Sequence, residues 1–349
     1  MKSFEKHIIS KEASVRTALI KLDQLAADAI LFVTEDNFKL IGSLTDGDLR
    51  RGFIRGLGFD DSLLDFIQKN PISIRKNEYS SSLFDTYRNK NFKIIPIVNE
   101  EKIIEDILNF RTRSTILPLE AVLMAGGEGK RLWPLTQHTP KPLLKVGDKP
   151  IIEHNIDRLI KVGIKKIHLS INYLGDQLVD YFKDGQEKGI EIEYAREKKP
   201  LGTIGSIHLC NDFEYEDVLV MNSDLLTNID FADFYNTYKA SEADMAVAAT
   251  SYNVDIPYAV LETDDTQKVK SLKEKPRYTY YSNAGIYIIS KKLLAMIPED
   301  SYFDITDLMD KVIEMDNKLI TYPINGYWLD IGKHDDFKKA QEDIKHLKL

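Results

Sequence analysis

From Leu119 onward, short apolar runs alternate with stretches whose apolar positions recur at helical spacing. Val122-Leu123-Met124-Ala125, Ile167-His168-Leu169-Ser170 and Val218-Leu219-Val220-Met221 read as buried strands, and Ile190-Glu191-Ile192-Glu193-Tyr194 alternates like a strand. Ile151 to Val162 reads as an amphipathic helix, and Leu174 to Phe182 and Gly202 to Leu209 as further helices. Such alternation predicts an α/β domain with a mainly parallel sheet covered on both faces. Ligands of these sheets sit at the carboxyl ends of the strands, so catalytic groups are expected just after strands.

The first third is patterned differently. Ile30-Leu31-Phe32-Val33 lies 65 positions before Ile95-Pro96-Ile97-Val98, and the helix-like Ala18-Leu19-Ile20 is offset by the same 65 from Leu83-Phe84-Asp85. Each strand is followed by acidic turn residues and a second apolar stretch, Lys39 to Leu44 and Lys102 to Ile107. A twice-used helix–strand–turn–strand–helix unit closes a shared core that one copy could not. The change of pattern falls near Asn109 to Pro118, where proline disfavours helix in the residue before it. We therefore expect a domain of residues 1–115 and another of 118–349.

Composition narrows the function classes. The chain has 349 residues, 43% hydrophobic and 29% charged, as in ordinary folded domains. Residues 1–117 carry 18 basic and 17 acidic side chains and the remainder 29 and 38, for a net charge of −8 overall. That balance argues against nucleic-acid binding, which rests on neutralising many phosphates. The single cysteine, Cys210, excludes an intrachain disulfide and a multi-Cys zinc site, and points to a reducing, cytoplasmic setting. Met1 to Ser10 lacks the apolar core of a signal peptide, and no run approaches the roughly 18 apolar residues that span a bilayer, so no membrane association is expected.

The chemistry begins directly after the first strand of the second domain, in Met124-Ala125-Gly126-Gly127-Glu128-Gly129-Lys130-Arg131-Leu132-Trp133-Pro134-Leu135-Thr136. Three glycines in four positions let the backbone approach a ligand closely, and successive free N–H groups make an anion-binding nest. The spacing fits neither a Walker A loop nor the dinucleotide pattern, whose third glycine would fall at Leu132. Thr139-Pro140-Lys141-Pro142-Leu143-Leu144 follows ten residues later. Two carboxylates stand after distant apolar runs, in Asn222-Ser223-Asp224 and in Gly326-Tyr327-Trp328-Leu329-Asp330-Ile331-Gly332. Paired oxygen ligands of this kind suit a hard divalent cation.

Together these residues resemble the signature of sugar-1-phosphate nucleotidyltransferases, Gly-Gly-x-Gly-x-Arg-Leu-x-Pro-Leu-Thr followed by Pro-Lys-Pro, met here at every position. The resemblance runs through the remaining 230 or so residues. It implies a Rossmann-like, GT-A-like fold and a magnesium-dependent transfer of a nucleoside monophosphate from an NTP to a sugar 1-phosphate, releasing pyrophosphate. Carried over by position, Ala125, Gly126, Gly127, Gly129 and Lys130 would bind the nucleotide, Arg131 its β- and γ-phosphates, and Lys141 would stand near the α-phosphate. Asp224 and Asp330 match the family's magnesium ligands. Glu197-Lys198-Lys199-Pro200-Leu201-Gly202-Thr203-Ile204-Gly205 resembles the family's Pro-Leu-Gly-Thr-x-Gly element, placing Gly202 and Thr203 at the nucleotide and Glu197 at the sugar phosphate. Glu274-Lys275-Pro276 and Asn283-Ala284-Gly285 resemble its sugar-binding elements, with Glu274, Lys275, Asn283 and Gly285 as the residues concerned. The aromatic run Tyr278-Thr279-Tyr280-Tyr281 reads as a half-exposed strand in preference to a stacking platform.

In the first domain, Gly42-Ser43-Leu44-Thr45-Asp46-Gly47-Asp48-Leu49 and the 65-residue repeat are similar to a pair of CBS motifs, a Bateman module. That similarity implies a regulatory nucleotide with Thr45 and Asp48 at its ribose; the second copy, Glu105-Asp106-Ile107-Leu108, lacks the Thr-x-x-Asp. The competing reading of Thr45 is a helix cap, with the module mediating homo-oligomer formation. A CBS pair ahead of a short transferase resembles the glucosamine-1-phosphate guanylyltransferases of legionaminic acid synthesis, and Pro-Leu-Gly-Thr-x-Gly also favours GTP. Mannose-1-phosphate guanylyltransferase, glucose-1-phosphate uridylyl- or thymidylyltransferase, and a nucleotide sensor that has lost catalysis stay open as alternatives. A sugar-acid cytidylyltransferase is disfavoured by the same segment.

Overall fold

The computed structural model describes residues 4–75, 81–210 and 213–347; Met1 to Ser3, which open the N-terminal stretch read above, lie outside them. The chain divides into one compact unit of Met1–Pro118, Ile160–Lys165 and Asp184–Glu191, and a second of Leu119–Leu159, Lys166–Lys183 and Ile192–Leu349.

In the first unit, the strands Ile30–Glu35 and Lys39–Thr45 form an antiparallel pair, and Ile94–Val98 and Ile104–Asn109 form another. Helix Val15–Leu25 precedes the first pair and helix Ser81–Asn89 the second, so both copies of the predicted repeat are built alike. The copies part at their ends. Helix Asp46–Ile54 follows the first pair, whereas Asn109 is followed by turn. The reason is local: Thr45 and Asp48 form a reciprocal cap at a helix start, and the second copy has no such pair.

The second unit is built on a seven-stranded sheet in the order Glu191–Arg196, Lys166–Ile171, Glu120–Met124, Asp217–Asn222, Arg277–Ser290, Met245–Asp255, Leu319–Pro323. Lys166–Ile171 and Asp217–Asn222 run parallel to Glu120–Met124 between them, and Leu319–Pro323 runs parallel to Met245–Asp255. Arg277–Ser290 is antiparallel to both of its neighbours. The sheet is thus the mainly parallel α/β sheet expected. Gly202 to Leu209 is shorter than predicted, a 3-10 turn over Gly205–Leu209. The backbone of Gly202 and the side chain of Thr203 are instead engaged with Phe303 to Ile305.

Two packed clusters position the site. One lies against the sheet and includes Val122, Val220, Val247, Ile289 and Leu308. The other gathers Leu132, Leu144, Ile151, Leu226, Ile331 and Ala340, which come from the glycine loop, the Pro-Lys-Pro segment, two helices and both carboxylate-bearing segments. Burying an aliphatic side chain contributes ~1.5–3 kcal/mol, so this cluster ties four distant stretches together beneath the charged groups they carry. Among the described residues, no helix is long and apolar enough to cross a membrane.

Candidate active site

The glycine loop leaves the carboxyl end of the Glu120–Met124 strand, where Ala125 N donates to Ser170 O of the next strand at 2.8 Å. Each glycine meets different surroundings. A Cβ at Gly126 would stand 2.9 Å from Glu197 Oε1, and one at Gly129 would stand 3.1 Å from Lys141 Cβ. Gly129 also has φ +62, which favours glycine, and its carbonyl accepts from Thr136 Oγ1 at 2.8 Å. Gly127 is demanded by nothing in the protein: its missing side chain leaves open space. Among the described residues, the amides of Gly126 to Gly129 donate to no protein acceptor, as an anion nest requires.

Lys141 lies in a short 3-10 turn and is buried, with its Nζ in close contact with Asp224 Oδ2 and 3.9 Å from Asp330 Oδ1. Asp224 is held from three sides. The hydroxyl and amide of Ser223 donate to Met124 O at 2.7 and 3.2 Å, pinning the segment to the root of the glycine loop. Asn155 Nδ2 donates to Leu225 O at 2.9 Å and Ser223 O at 3.4 Å. Strand Leu225–Thr227 pairs antiparallel with Trp328–Asp330, so that Leu225 faces Asp330, and Ile331 N donates to Asp224 O at 3.1 Å. The two predicted carboxylates are therefore neighbours across a two-strand ladder.

The electrostatics of the pair are unbalanced. The Oδ1 atoms of Asp224 and Asp330 are buried and have no hydrogen-bond partner among the described residues. Burial, and then the negative charge of Asp224, push the Asp330 carboxyl up, while Lys141 and Arg131 pull it back. Arg131 Nη1 and Asp330 Oδ2 each lie 3.7 Å from where a Cβ on Gly332 would be, so the guanidinium stands beside the pair. Among the described residues, no set of three or more His, Cys, Asp or Glu side chains gathers as a metal cage. Two carboxylates are nonetheless the protein share that magnesium commonly takes, with water and substrate phosphates completing its shell. The orphaned oxygens fit that ion.

The remaining predicted residues fall into three groups. Gly285, at φ +72, packs on Asn222, and the neighbouring Ala284 carbonyl accepts from Trp328 Nε1 at 2.8 Å, which brings Asn283-Ala284-Gly285 beside the carboxylate ladder. Asn283 Oδ1 accepts from Gly285 N at 2.9 Å and Tyr287 Oη at 2.8 Å, leaving its NH2 as the group to offer a ligand. Glu197, Gly202 and Thr203 are engaged with the protein. The Glu197 carboxylate accepts from Ser170 Oγ at 2.7 Å and Leu201 N at 3.1 Å, and Thr203 Oγ1 donates to Asp304 Oδ1 at 3.1 Å. Gly202 has φ +80, and a Cβ there would lie 2.6 Å from Phe303 O. Lys130, Glu274 and Lys275 are exposed. Lys130 is exposed and bonded to Glu128 at 2.8 Å. Glu274 and Lys275 are exposed before the long strand Arg277–Ser290, at least ~20 Å along it from Asn283 at the usual rise of a strand. Tyr278 to Tyr281 lie in that strand, with Tyr280 and Tyr281 exposed.

Two supporting residues were not anticipated, Asn155 and Ser170. Asn155 had a legible signal, an amide on the apolar stripe Ile151, Ile152, Ile156, Leu159. Ser170, fully buried, gives its one hydroxyl proton to Glu197 and accepts from Ser206 Oγ at 2.8 Å. In the first unit, Thr45 and Asp48 bind each other. Asp48 Oδ2 accepts from Thr45 N at 2.9 Å and from Thr45 Oγ1 at 2.6 Å, and Asp48 Oδ1 accepts from Arg51.

Sequence comparison places this geometry among known proteins. The chain is 31% identical over 234 residues to a mannose-1-phosphate guanyltransferase of Yarrowia lipolytica, covering 63% of this chain and 62% of that protein. It is 28% identical over 231 residues to a mannose-1-phosphate guanylyltransferase of Mycobacterium tuberculosis, covering 65% and 64%. The matched stretch thus spans somewhat under two thirds of these relatives. Among solved structures, HddC from Yersinia pseudotuberculosis complexed with GMP-PN superposes with a TM-score of 0.51 and 27% identity, over 65% of this chain and 99% of that one. The model of the nucleotidyl transferase family matches residues 120–346, from the strand that leads into the glycine loop to the helix that follows Asp330, and the chain is a member of that family.

Proposed function

We propose that the protein transfers a nucleoside monophosphate from an NTP, GTP before the others, to a hexose 1-phosphate, giving an NDP-sugar and pyrophosphate. The observation that carries this reading is Lys141 lodged between Asp224 and Asp330 at the foot of a glycine loop whose amides are free. Guanylyl transfer is supported by the names of the relatives, which act on mannose 1-phosphate. Glucosamine 1-phosphate remains our preferred acceptor on the architecture of the chain.

In this mechanism the free amides of Gly126 to Gly129 and the fork of Arg131 hold the triphosphate, as oriented N–H donors and a guanidinium suit phosphate oxygens. Lys141 opposes the charge that grows at the α-phosphate as the sugar phosphate oxygen attacks in line; such a fixed donor is typically worth ~3–4 kcal/mol. Asp224 and Asp330 would hold magnesium, which when bound neutralises oxygens that otherwise repel each other. No side-chain nucleophile is required, since the attacking phosphate is anionic at neutral pH. Positioning supplies the rest of the acceleration. A pyrophosphate-release screen of five NTPs against hexose 1-phosphates tests the assignment. Turnover strongest with GTP is expected, and silence with every pair overturns it in favour of a nucleotide sensor.

For residues 1–115 we propose a CBS-like pair that supports assembly of identical chains in the cytoplasm. The mutual engagement of Thr45 and Asp48 favours this scaffold role over a ribose site, because a ribose would have to break their bonds. An Asp48→Ala variant separates the two: a response to added nucleotide that the wild type shows and the variant loses would restore the sensor.

A further inference from the structure

We propose that Lys141 is the resident counter-cation of the carboxylate pair and yields its place at Asp224 to a divalent cation, so that one side chain serves the metal-free site and the phosphates in turn. This rests on the reading of Asp224 and Asp330 as the metal pair. The two carboxylates are carried side by side by the Leu225–Thr227 and Trp328–Asp330 ladder, and their separation is fixed by backbone that does not depend on a ligand. Two ionised carboxylates held so close repel each other unless a cation stands beside them. Lys141 supplies it, with its side chain 11% exposed. Yet neither this ammonium nor the Arg131 guanidinium beside the pair gives a hydrogen bond to the Oδ1 atoms of the two residues, which stay buried without a donor among the described residues. A dication with oxygen ligands satisfies what a monocation cannot. The Lys141 stem packs against Gly129, at the end of the run of free amides, so an ammonium that leaves Asp224 is already at the phosphate nest.

Manganese alone, without nucleotide, tests this in the full chain. Free Mn2+ is followed by electron paramagnetic resonance for the wild type, Lys141→Met and Asp224→Asn, and acetylation of Lys141 is followed in the wild type by mass spectrometry with exposed Lys268 as reference. Removing the competitor should tighten Mn2+ binding at least tenfold in Lys141→Met, and Mn2+ should raise wild-type Lys141 acetylation several-fold. Equal or weaker binding by Lys141→Met, with wild-type binding still lost in Asp224→Asn, overturns the exchange and leaves the metal reading standing. Binding that ignores Asp224→Asn, or is absent from all three proteins, removes the metal reading as well. If Lys141→Met does not fold, the wild-type labelling decides by itself: unchanged acetylation under Mn2+ overturns the exchange.

Discussion

The amide of Asn155 grips the backbone on both sides of Asp224, donating from Nδ2 to the carbonyl of Leu225 at 2.9 Å and of Ser223 at 3.4 Å. Asn155 is 2% exposed, so no water replaces it when it is removed. Asn155→Leu should therefore cost about 1–3 kcal/mol through the two orphaned carbonyls. Loss of such support also weakens metal sites by ~10–100-fold. Thermal unfolding measures the first effect, and the magnesium concentration for half-maximal pyrophosphate release measures the second. A variant with lowered stability and an unshifted magnesium requirement would show that Asn155 is structural.

Asp224→Asn keeps the shape of the side chain and removes the charge that Lys141 and a metal both need. We expect pyrophosphate release to fall by a factor of about 10²–10³, in line with the loss of a preorganised electrostatic contact, with unfolding still cooperative. Near-normal turnover would refute the role of Asp224.

The Asp330 carboxyl is held above its ordinary value by burial and by Asp224. A carboxyl raised in the folded state favours folding while protonated, so that contribution is complete below the ordinary carboxylate range and is lost as pH rises through the raised value. Metal-free wild type should therefore lose stability relative to Asp330→Asn as pH rises from about 3 upward across the carboxylate range. Denaturant unfolding of both proteins without divalent cation checks this. A difference that stays constant with pH would contradict it.

Two glycines of the predicted nucleotide site are glycine for opposite reasons, and their alanine variants should separate. Gly202→Ala places a Cβ 2.6 Å from Phe303 O in a left-handed backbone, where that conformation alone costs about 1–2 kcal/mol. Gly127→Ala meets nothing within 4 Å. Unfolding should single out Gly202→Ala, while a raised KM for the NTP at near-normal stability should single out Gly127→Ala. A Gly127→Ala protein with unchanged KM would mean the nest lies elsewhere in the loop.

The strands around the glycine loop were legible because buried parallel strands are continuous apolar runs, and Asp217–Asn222 and Lys166–Ile171 fall where those runs lie. The antiparallel course of Arg277–Ser290 was not legible, since strand direction depends on a partner that the run itself does not name. Arg131, Lys141, Asp224 and Asp330 were singled out one by one from their local motifs. That the last two are brought side by side at the end of a ladder, with Lys141 between them, follows from pairing between segments about a hundred residues apart.

What the sequence determined by itself is the class of fold, the glycine loop and the kinds of charge the chemistry needs, because each is written in short-range spacing and residue type. Which charges meet was decided by tertiary structure. Glu197 carries the same carboxylate as Asp224, yet Ser170 and Leu201 fill it. Glu274 and Lys275 sit in a motif as recognisable as Asn283-Ala284-Gly285, yet stand exposed far along the strand. A side chain's role depends on its unsatisfied bonds, and those are settled only when the rest of the chain has packed around it.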